Sequence, residues 1–177
     1  MRIIGGYLKG RKVVPPGNLS VRPTTDMARE SLFNILTNVF DFSGIHVLDL
    51  FSGTGLISLE FASRGCNNIV AVDIHPACVA FLKDTTRRLQ VECIQVTRMD
   101  VFRFLKKKSL SGFDIIFADP PYDHPRVGEL PDIVFNSGLL NPQGWFIEEH
   151  SARHTFAAHP RFYQHRNYGD VNFTILK

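Results

Sequence analysis

The sequence predicts an α/β protein: a mostly parallel sheet of seven strands within a three-layer sandwich. Apolar runs that suit buried strands alternate with helical stretches from residue 46 to residue 148, an order typical of parallel sheets with crossover helices. The last two apolar runs flank Asn167-Tyr168-Gly169-Asp170, a good turn sequence that predicts an antiparallel hairpin at the sheet edge. Four aspartates stand at or near the ends of the first four runs.

The predicted elements follow one another in a regular order. Strands are expected at 46–51, 68–73, 91–96, 113–118, 144–148, 161–166 and 171–176. Helices are expected at 25–40, about 55–64, 76–90, about 101–105, about 126–137 and, as a short piece, 153–158. The first helix has the clearest start, because Thr24, Thr25 and Asp26 supply an N-cap and a first-turn acid.

The composition is that of an ordinary globular protein, with 44% hydrophobic and 21% charged residues. A chain of 177 residues suits a single domain with a real core, divided here into an N-terminal arm at 1–23 and an α/β core at 24–177. The net charge of +3 permits a nucleic-acid partner, although simple solubility explains it as well. No signal core or membrane-spanning stretch is visible, so a cytoplasmic location is expected.

The N-terminal arm differs in character from the rest of the chain. Its basic residues are not interrupted by any acid, and they are Arg2, Lys9, Arg11, Lys12 and Arg22. Glycines and prolines divide it into short pieces, which favours a small hairpin or an irregular arm over a helix. Such an arm either binds phosphates through charge and close backbone approach or is a solvated terminal segment, and the pattern leaves both open.

A glycine-rich turn follows the first strand. The apolar run ends in Ser52-Gly53-Thr54-Gly55 and leads into a helix, the first half of a nucleotide-binding βαβ unit. Asp73 comes about twenty residues after this turn, the spacing of a carboxylate that accepts ribose hydroxyls. Because ligands bind outside the carboxyl ends of parallel strands, Asp49, Asp73, Asp100 and Asp119 together indicate a binding site at that edge.

The acids also discriminate between ligands. The turn lacks the third glycine of a dinucleotide fingerprint, and the carboxylate of Asp49 would repel a pyrophosphate. It would suit a cationic ligand that also carries an amine, such as S-adenosylmethionine, whose own carboxylate could use the turn amides. The pattern therefore favours S-adenosylmethionine, with NAD as the alternative.

The fourth strand ends in Asp119-Pro120-Pro121-Tyr122. Neither proline can continue a sheet ladder, and each holds the residue before it in extended geometry. The segment that leaves the strand is therefore expected to be stiff, with the Asp119 carboxylate and neighbouring carbonyls beside the Tyr122 ring. Fixed acceptors next to an aromatic face suit a flat ring that bears an NH₂ group. The alternative interpretation is a strand that simply stops at a Pro-Pro turn.

Several motifs together resemble a known family. Asp49 to Gly55 is similar to the cofactor motif of class I methyltransferases, and Asp119 to Tyr122 is similar to the catalytic motif of enzymes that methylate exocyclic amines of bases. The narrower resemblance is carried by Arg2-Ile3-Ile4-Gly5-Gly6 with Gly10-Arg11, by Arg22-Pro23-Thr24-Thr25-Asp26 with Arg29-Glu30-Ser31-Leu32-Phe33-Asn34, and by Glu60 with Ser63-Arg64-Gly65. Together they resemble the bacterial 16S ribosomal RNA guanine-N2 methyltransferase family, whose target is guanine 966.

The resemblance implies a Rossmann-like class I methyltransferase fold, S-adenosylmethionine as the methyl donor, and 16S rRNA or the assembling 30S subunit as the partner. It implies a monomer without a metal ion; the histidines near the C-terminus do not have metal-site spacing.

The implied catalytic residues are Asp119, Pro120, Pro121 and Tyr122. The implied cofactor residues are Asp49, Phe51, Gly53, Thr54 and Gly55 for the methionine part, Asp73 for the ribose, Asp100 and Val101 for the adenine, and Thr24 and Thr25 as closing residues. The implied RNA contacts are Arg29 and the arm residues Arg2, Lys9, Arg11, Lys12 and Arg22.

Two alternatives to this function stay open. The Asp-Pro-Pro-Tyr motif also serves N6 amines, so one alternative is an enzyme that methylates adenine in DNA. The chain has no obvious added domain for recognising a DNA target, which weakens that alternative. The other is an RNA-binding module that keeps the fold without turnover, and the intact Asp49, Gly53, Gly55 and Asp119 argue against it.

Overall fold

The computed structural model describes residues 1–17, 25–107 and 112–177. Its seven strands are β1 (His46–Leu50), β2 (Asn68–Asp73), β3 (Ile94–Arg98), β4 (Phe113–Ala118), β5 (Leu140–His150), β6 (Phe162–Tyr168) and β7 (Val171–Leu176). Its five α-helices are α1 (Asp26–Thr37), α2 (Leu56–Ser63), α3 (Pro76–Arg88), α4 (Val101–Phe104) and α5 (Leu130–Ser137).

The strands form one sheet in the order β3-β2-β1-β4-β5-β7-β6. The first five are parallel, and β7 pairs antiparallel with both β5 and β6. The predicted mostly parallel sheet of seven strands with an antiparallel C-terminal hairpin is therefore confirmed. Because the strand order reverses between β1 and β4, a crevice opens there at the carboxyl ends of the strands.

Helices cover both faces of the sheet, which is why the central strands are continuously apolar. On one face, α1, α2 and α3 pack on a cluster that includes Phe117 and Ile147. On the other face, α4 and α5 pack on a cluster that includes Ile116 and Phe146. Successive side chains of β4 and β5 point alternately to these two faces. Their alternation decides which of them reach the crevice between β1 and β4.

Local signals explain how the first helix begins. The Thr25 hydroxyl accepts a hydrogen bond from the backbone N–H of Ala28 and so caps α1. Leu32, Phe33 and Leu36 are buried on one stripe of this helix. Burial of the stripe against α2 and the sheet supplies most of the stability of a helix this short.

Many predicted bounds differ from the observed ones by one to three residues, and four predicted elements differ in a more informative way. Strand β3 begins at Ile94 instead of 91, because Gln90 turns back at φ 56° and the N–H of Val91 bonds to Thr86. Strand β5 extends over 140–150 instead of 144–148. The helix predicted at 126–137 begins as a 3₁₀ turn at Val127–Glu129, and α5 follows from Leu130 with Pro131 in its first turn. The short helix predicted at 153–158 is wrong, since this segment forms only separate turns.

The N-terminal arm is a small hairpin docked on α2. Arg2 and Lys12 form an antiparallel bridge, and Ile3 is completely buried. The N–H of Leu8 donates to the Ser63 hydroxyl at 2.9 Å. Gly6 has φ 71° and contacts Ser63 so closely that a side chain there would overlap its carbonyl group. The described part of the arm is therefore a hairpin that packs on α2, whereas Arg22 and Thr24 lie outside the described residues.

Within the described residues no helix is long and apolar enough to cross a membrane.

Candidate active site

A cavity of about 750 Å³ opens at the carboxyl ends of β1, β2 and β4. Its wall contains all four aspartates singled out in the sequence, namely Asp49, Asp73, Asp100 and Asp119. It also contains Phe51, Gly53, Thr54, Val101, Pro120, Pro121 and Tyr122. The predicted cofactor motif and the predicted catalytic motif therefore share one cleft.

The turn after β1 has an unusual backbone. Phe51 has φ 58°, a left-handed conformation that costs energy for a residue with a side chain. Gly55 has φ 72°, and a side chain there would overlap Leu82 of α3. The glycine at position 55 is thus required by backbone conformation and by close packing of the turn on α3, which places the start of α2 against the cleft.

Asp49 lies at the bottom of the cleft and is almost completely buried. Its Oδ2 accepts hydrogen bonds from the Ser58 hydroxyl at 2.5 Å and the Ser58 N–H at 3.2 Å. Burial and, to a smaller extent, the nearby Asp73 charge raise the pKa of Asp49 to about 7, against the opposing effect of the Ser58 hydrogen bonds. The protonation state of Asp49 therefore changes near neutral pH.

Asp73 and Asp100 support backbone turns as well as lining the cleft. Asp73 accepts from the N–H of Gly53 at 2.8 Å and from the N–H of His75 at 2.8 Å. Asp100 caps α4 by accepting from the N–H of Arg103 at 2.8 Å. Each carboxylate oxygen can accept more than one hydrogen bond, so these contacts leave acceptor capacity for a ligand.

The Asp-Pro-Pro-Tyr segment leaves β4 beside the end of β1. The N–H of Asp119 bonds to the carbonyl of Leu50 at 3.4 Å, and Pro120 is buried. Asp119 and Tyr122 are half-buried at the cleft wall. The stiff strand exit predicted from the prolines therefore presents a carboxylate and an aromatic ring side by side.

Two groups of cleft residues were not predicted. Glu149, near the end of β5, is buried and lines the cleft, and the Tyr122 hydroxyl donates to its Oε1 at 3.4 Å. His124 stacks on Phe102 at 5.2 Å and contacts the edge of Phe51. The only sequence signal for Glu149 was an acidic pair, Glu148-Glu149, that follows an apolar strand.

The predicted RNA-binding residues differ in their exposure to solvent. Lys9, Arg11 and Lys12 are exposed on the arm hairpin, and so is Arg2, which forms an ion pair with Asp26 at 3.0 Å. Arg22 lies outside the described residues. These positions stay predictions, because exposure shows only that they are accessible.

The prediction that Arg29 contacts RNA phosphates is wrong. Its side chain is fully buried, with Nε at 3.1 Å from Glu60 and a terminal nitrogen at 2.8 Å from Asp26. It also donates to the carbonyl of Arg2 at 2.8 Å. The guanidinium enclosed in this way joins the arm, α1 and α2, and Arg29 also borders the cleft.

Thr25 does not line the cleft in the described part of the chain. Its hydroxyl is used to cap α1, and a role in closing the pocket stays a prediction, as it does for Thr24. No group of three or more histidines, cysteines and acids that could hold a metal ion occurs among residues 1–17, 25–107 and 112–177.

Known proteins resemble this chain over most of its length. Residues 1–177 match the model of the family described as Conserved hypothetical protein 95. Ribosomal RNA small subunit methyltransferase D of Escherichia coli (strain K12) is 34% identical over 149 residues, 84% of this chain and 71% of that protein. The protein of the same name from Buchnera aphidicola subsp. Baizongia pistaciae is 31% identical over 150 residues, 84% of this chain and 76% of that protein.

A solved structure shares the whole architecture. A hypothetical protein of Thermus thermophilus superposes with a TM-score of 0.88 at 29% identity, covering 100% of this chain and 99% of that one. The resemblance read from the motifs is thereby confirmed by full-length similarity. The chain belongs to the ribosomal RNA small subunit methyltransferase D family.

Proposed function

We propose that the protein transfers a methyl group from S-adenosylmethionine to the exocyclic N2 amine of a guanine in 16S rRNA. The observation that carries this proposal is the shared cleft of Asp49 and Asp119, which joins a site for a cationic cofactor to a site for a flat amine-bearing ring. The names of the relatives support ribosomal RNA methylation. Those names do not specify the methylated base, the methylated atom or its position in the RNA, which belong to this proposal.

The residues present fit S-adenosylmethionine. Asp49 is a deeply buried acceptor placed to receive the ammonium of the methionine part. The turn around Gly53 lines the same cavity, Asp73 is available for ribose hydroxyls, and Asp100 with Val101 for the adenine. When bound, the cofactor supplies an electrophilic methyl group on a sulfonium.

The protein's own contribution is to position and activate the amine. The lone pair of an amine conjugated to guanine is delocalised into the ring, which makes it a poor nucleophile. Asp119 and the carbonyl of Pro120 would accept its two N–H bonds, localising the lone pair and directing it out of the plane of the base. Fixed acceptors of this kind need no reorganisation during the reaction. The amine becomes acidic once methylated, so its proton can leave without a strong base.

The target base must leave its stack to enter the cleft. Tyr122 would stack on the extruded base beside Asp119. The exposed cations of the arm, Lys9, Arg11 and Lys12, would contact RNA phosphates, which position the substrate without reading its sequence. The proposed partner is 16S rRNA or the assembling 30S particle, and the proposed functional unit is a monomer.

Methyl incorporation into three substrates tests the proposal. Purified protein is given labelled S-adenosylmethionine with 30S particles, naked 16S RNA or duplex DNA, and the product nucleoside is identified by mass spectrometry. N2-methylguanosine from either RNA substrate is expected. N6-methyladenine from the duplex would favour the DNA alternative, and cofactor binding without any product would favour the non-catalytic module.

A further inference from the structure

Glu149 stands beside the catalytic motif because of how β4 and β5 pair. These strands are parallel, with Phe117 opposite Ile147 and Ala118 opposite Glu148. One residue further along, Asp119 and Glu149 fall next to each other on the face that Phe117 and Ile147 share. Asp49 of β1, which is opposite Phe117, belongs to the same face. Three carboxylates from three adjacent strands therefore converge on one cleft.

Glu149 is held at the edge of the proposed stacking platform. Only 3% of its surface is exposed, and the Tyr122 hydroxyl donates to its Oε1 at 3.4 Å. This hydrogen bond ties the carboxylate of β5 to the ring on the β4 exit. A base stacked on Tyr122 with its amine at Asp119 would have its neighbouring ring nitrogen directed toward Glu149.

The chemistry of a carboxylate at that place distinguishes bases. Guanine carries an N1–H donor next to its N2 amine, and a carboxylate accepts from such donors. A base whose ring nitrogen is an acceptor, such as adenine, would bring a lone pair against the oxygens of this buried side chain. That arrangement is unfavourable, because two acceptors would face each other in a buried site with no proton between them.

We propose that Glu149 selects guanine by accepting its N1–H while Asp119 accepts from the N2 amine. This inference rests on the proposed guanine-N2 function and adds the group that rejects other amine-bearing bases. Glu149 is thus a specificity residue in contact with the substrate, and Tyr122 positions it through the hydroxyl hydrogen bond.

The chain offers a matched control one residue away. Glu148 is also buried, but the alternation along β5 places it on the opposite face, with Phe146. Among the described residues its carboxyl oxygens have no hydrogen-bond partner. It does not line the cleft, so Glu148→Gln changes a buried glutamate in the same strand without touching the substrate site.

The test uses 16S RNA ligated around a synthetic segment with guanosine or 2-aminopurine at the methylated position, assembled into 30S particles. 2-Aminopurine keeps the amine at position 2 but presents a ring-nitrogen lone pair in place of N1–H. The wild type should prefer guanosine in kcat/KM by about 10- to 100-fold. In Glu149→Gln, whose amide can donate to that lone pair, the preference should fall at least about tenfold. Glu148→Gln should keep the wild-type preference.

Each outcome has a defined meaning. An unchanged guanosine preference in Glu149→Gln overturns the inference alone. Equal rates on the two bases in the wild type also overturn it, and this comparison stands even if Glu149→Gln fails to fold or to bind cofactor. Absence of N2 methylation by the wild type on guanosine RNA overturns the proposed function itself, and the inference with it.

Discussion

Nε of Arg29 lies 3.1 Å from Oε1 of Glu60, and both side chains are completely buried. Glu60 also accepts from the N–H of Ile4 at 2.6 Å and pairs with Arg64. This one ion pair connects the N-terminal hairpin, α1 and α2. The position of the arm relative to the cleft therefore depends on a buried charge pair.

Removal of Arg29 should destabilise the fold. In Arg29→Met the buried carboxylate of Glu60 loses a principal counter-charge, and the expected loss is about 3–5 kcal/mol in the free energy of unfolding. Urea denaturation followed by circular dichroism measures it. Arg11→Ala, which changes an exposed arginine of the N-terminal arm, should shift the free energy by less than about 0.5 kcal/mol. Equal stabilities of the two variants would contradict the structural role of Arg29.

Asp119→Ala should stop methyl transfer without preventing cofactor binding. The substitution removes an acceptor for the amine, and loss of one preorganised group in an active site costs about 100-fold or more in kcat. Single-turnover methylation measures the rate, and calorimetry with S-adenosylmethionine measures the binding. Wild-type turnover in the variant would remove the role proposed for Asp119.

Cofactor affinity should depend on pH through Asp49. Its pKa is about 7 in the free protein, and the cofactor's ammonium favours the ionised carboxylate, so binding must release a proton below that pH. The affinity should fall about tenfold as the pH drops from about 8 to about 6. Asp49→Asn should bind more weakly with little pH dependence over this window. A flat profile for the wild type, measured by calorimetry, would contradict this linkage.

Glu148 should make the protein less stable as the pH rises. Burial raises its pKa from the ordinary 4.5 to about 9, so between these values the unfolded chain ionises this carboxyl while the folded protein keeps it protonated. Stability is lost over this window because the unfolded state releases the proton first. Glu148→Gln cannot ionise, so its Tm relative to the wild type should increase from about pH 5 to about pH 8.5. A constant difference would argue against a protonated Glu148.

The exposed cations of the arm should contribute to RNA affinity through charge alone. Replacing Lys9, Arg11 and Lys12 together with alanine should weaken binding to 16S RNA and reduce the slope of log affinity against log salt by about 2 to 3. The matched control replaces Lys106 and Lys107, which are exposed after α4. An identical salt slope in the arm variant and the wild type would exclude phosphate contacts by the arm.

Local sequence was sufficient to predict most elements and many of the residues that line the cleft. The glycine turn, the Pro-Pro strand exit and the four aspartates act within a few residues of one another along each strand, and strand ends of a parallel sheet share an edge. The burial of Arg29 had a local signal as well. Arg29, Leu32, Phe33 and Leu36 share the helical spacing of one apolar stripe, and this spacing indicates burial although the positive charge by itself indicates exposure.

The sequence by itself determined the fold class, the alternation of elements and the two motifs, since periodicity and turn chemistry are short-range properties. Only the tertiary structure decided that Glu149 lies beside Asp119 and Tyr122, which come much earlier in the chain, and that Glu148 faces away. A one-residue shift in the pairing of β4 and β5 would exchange these two glutamates. That register depends on how whole strands pack against the helices, and no short stretch of sequence contains it.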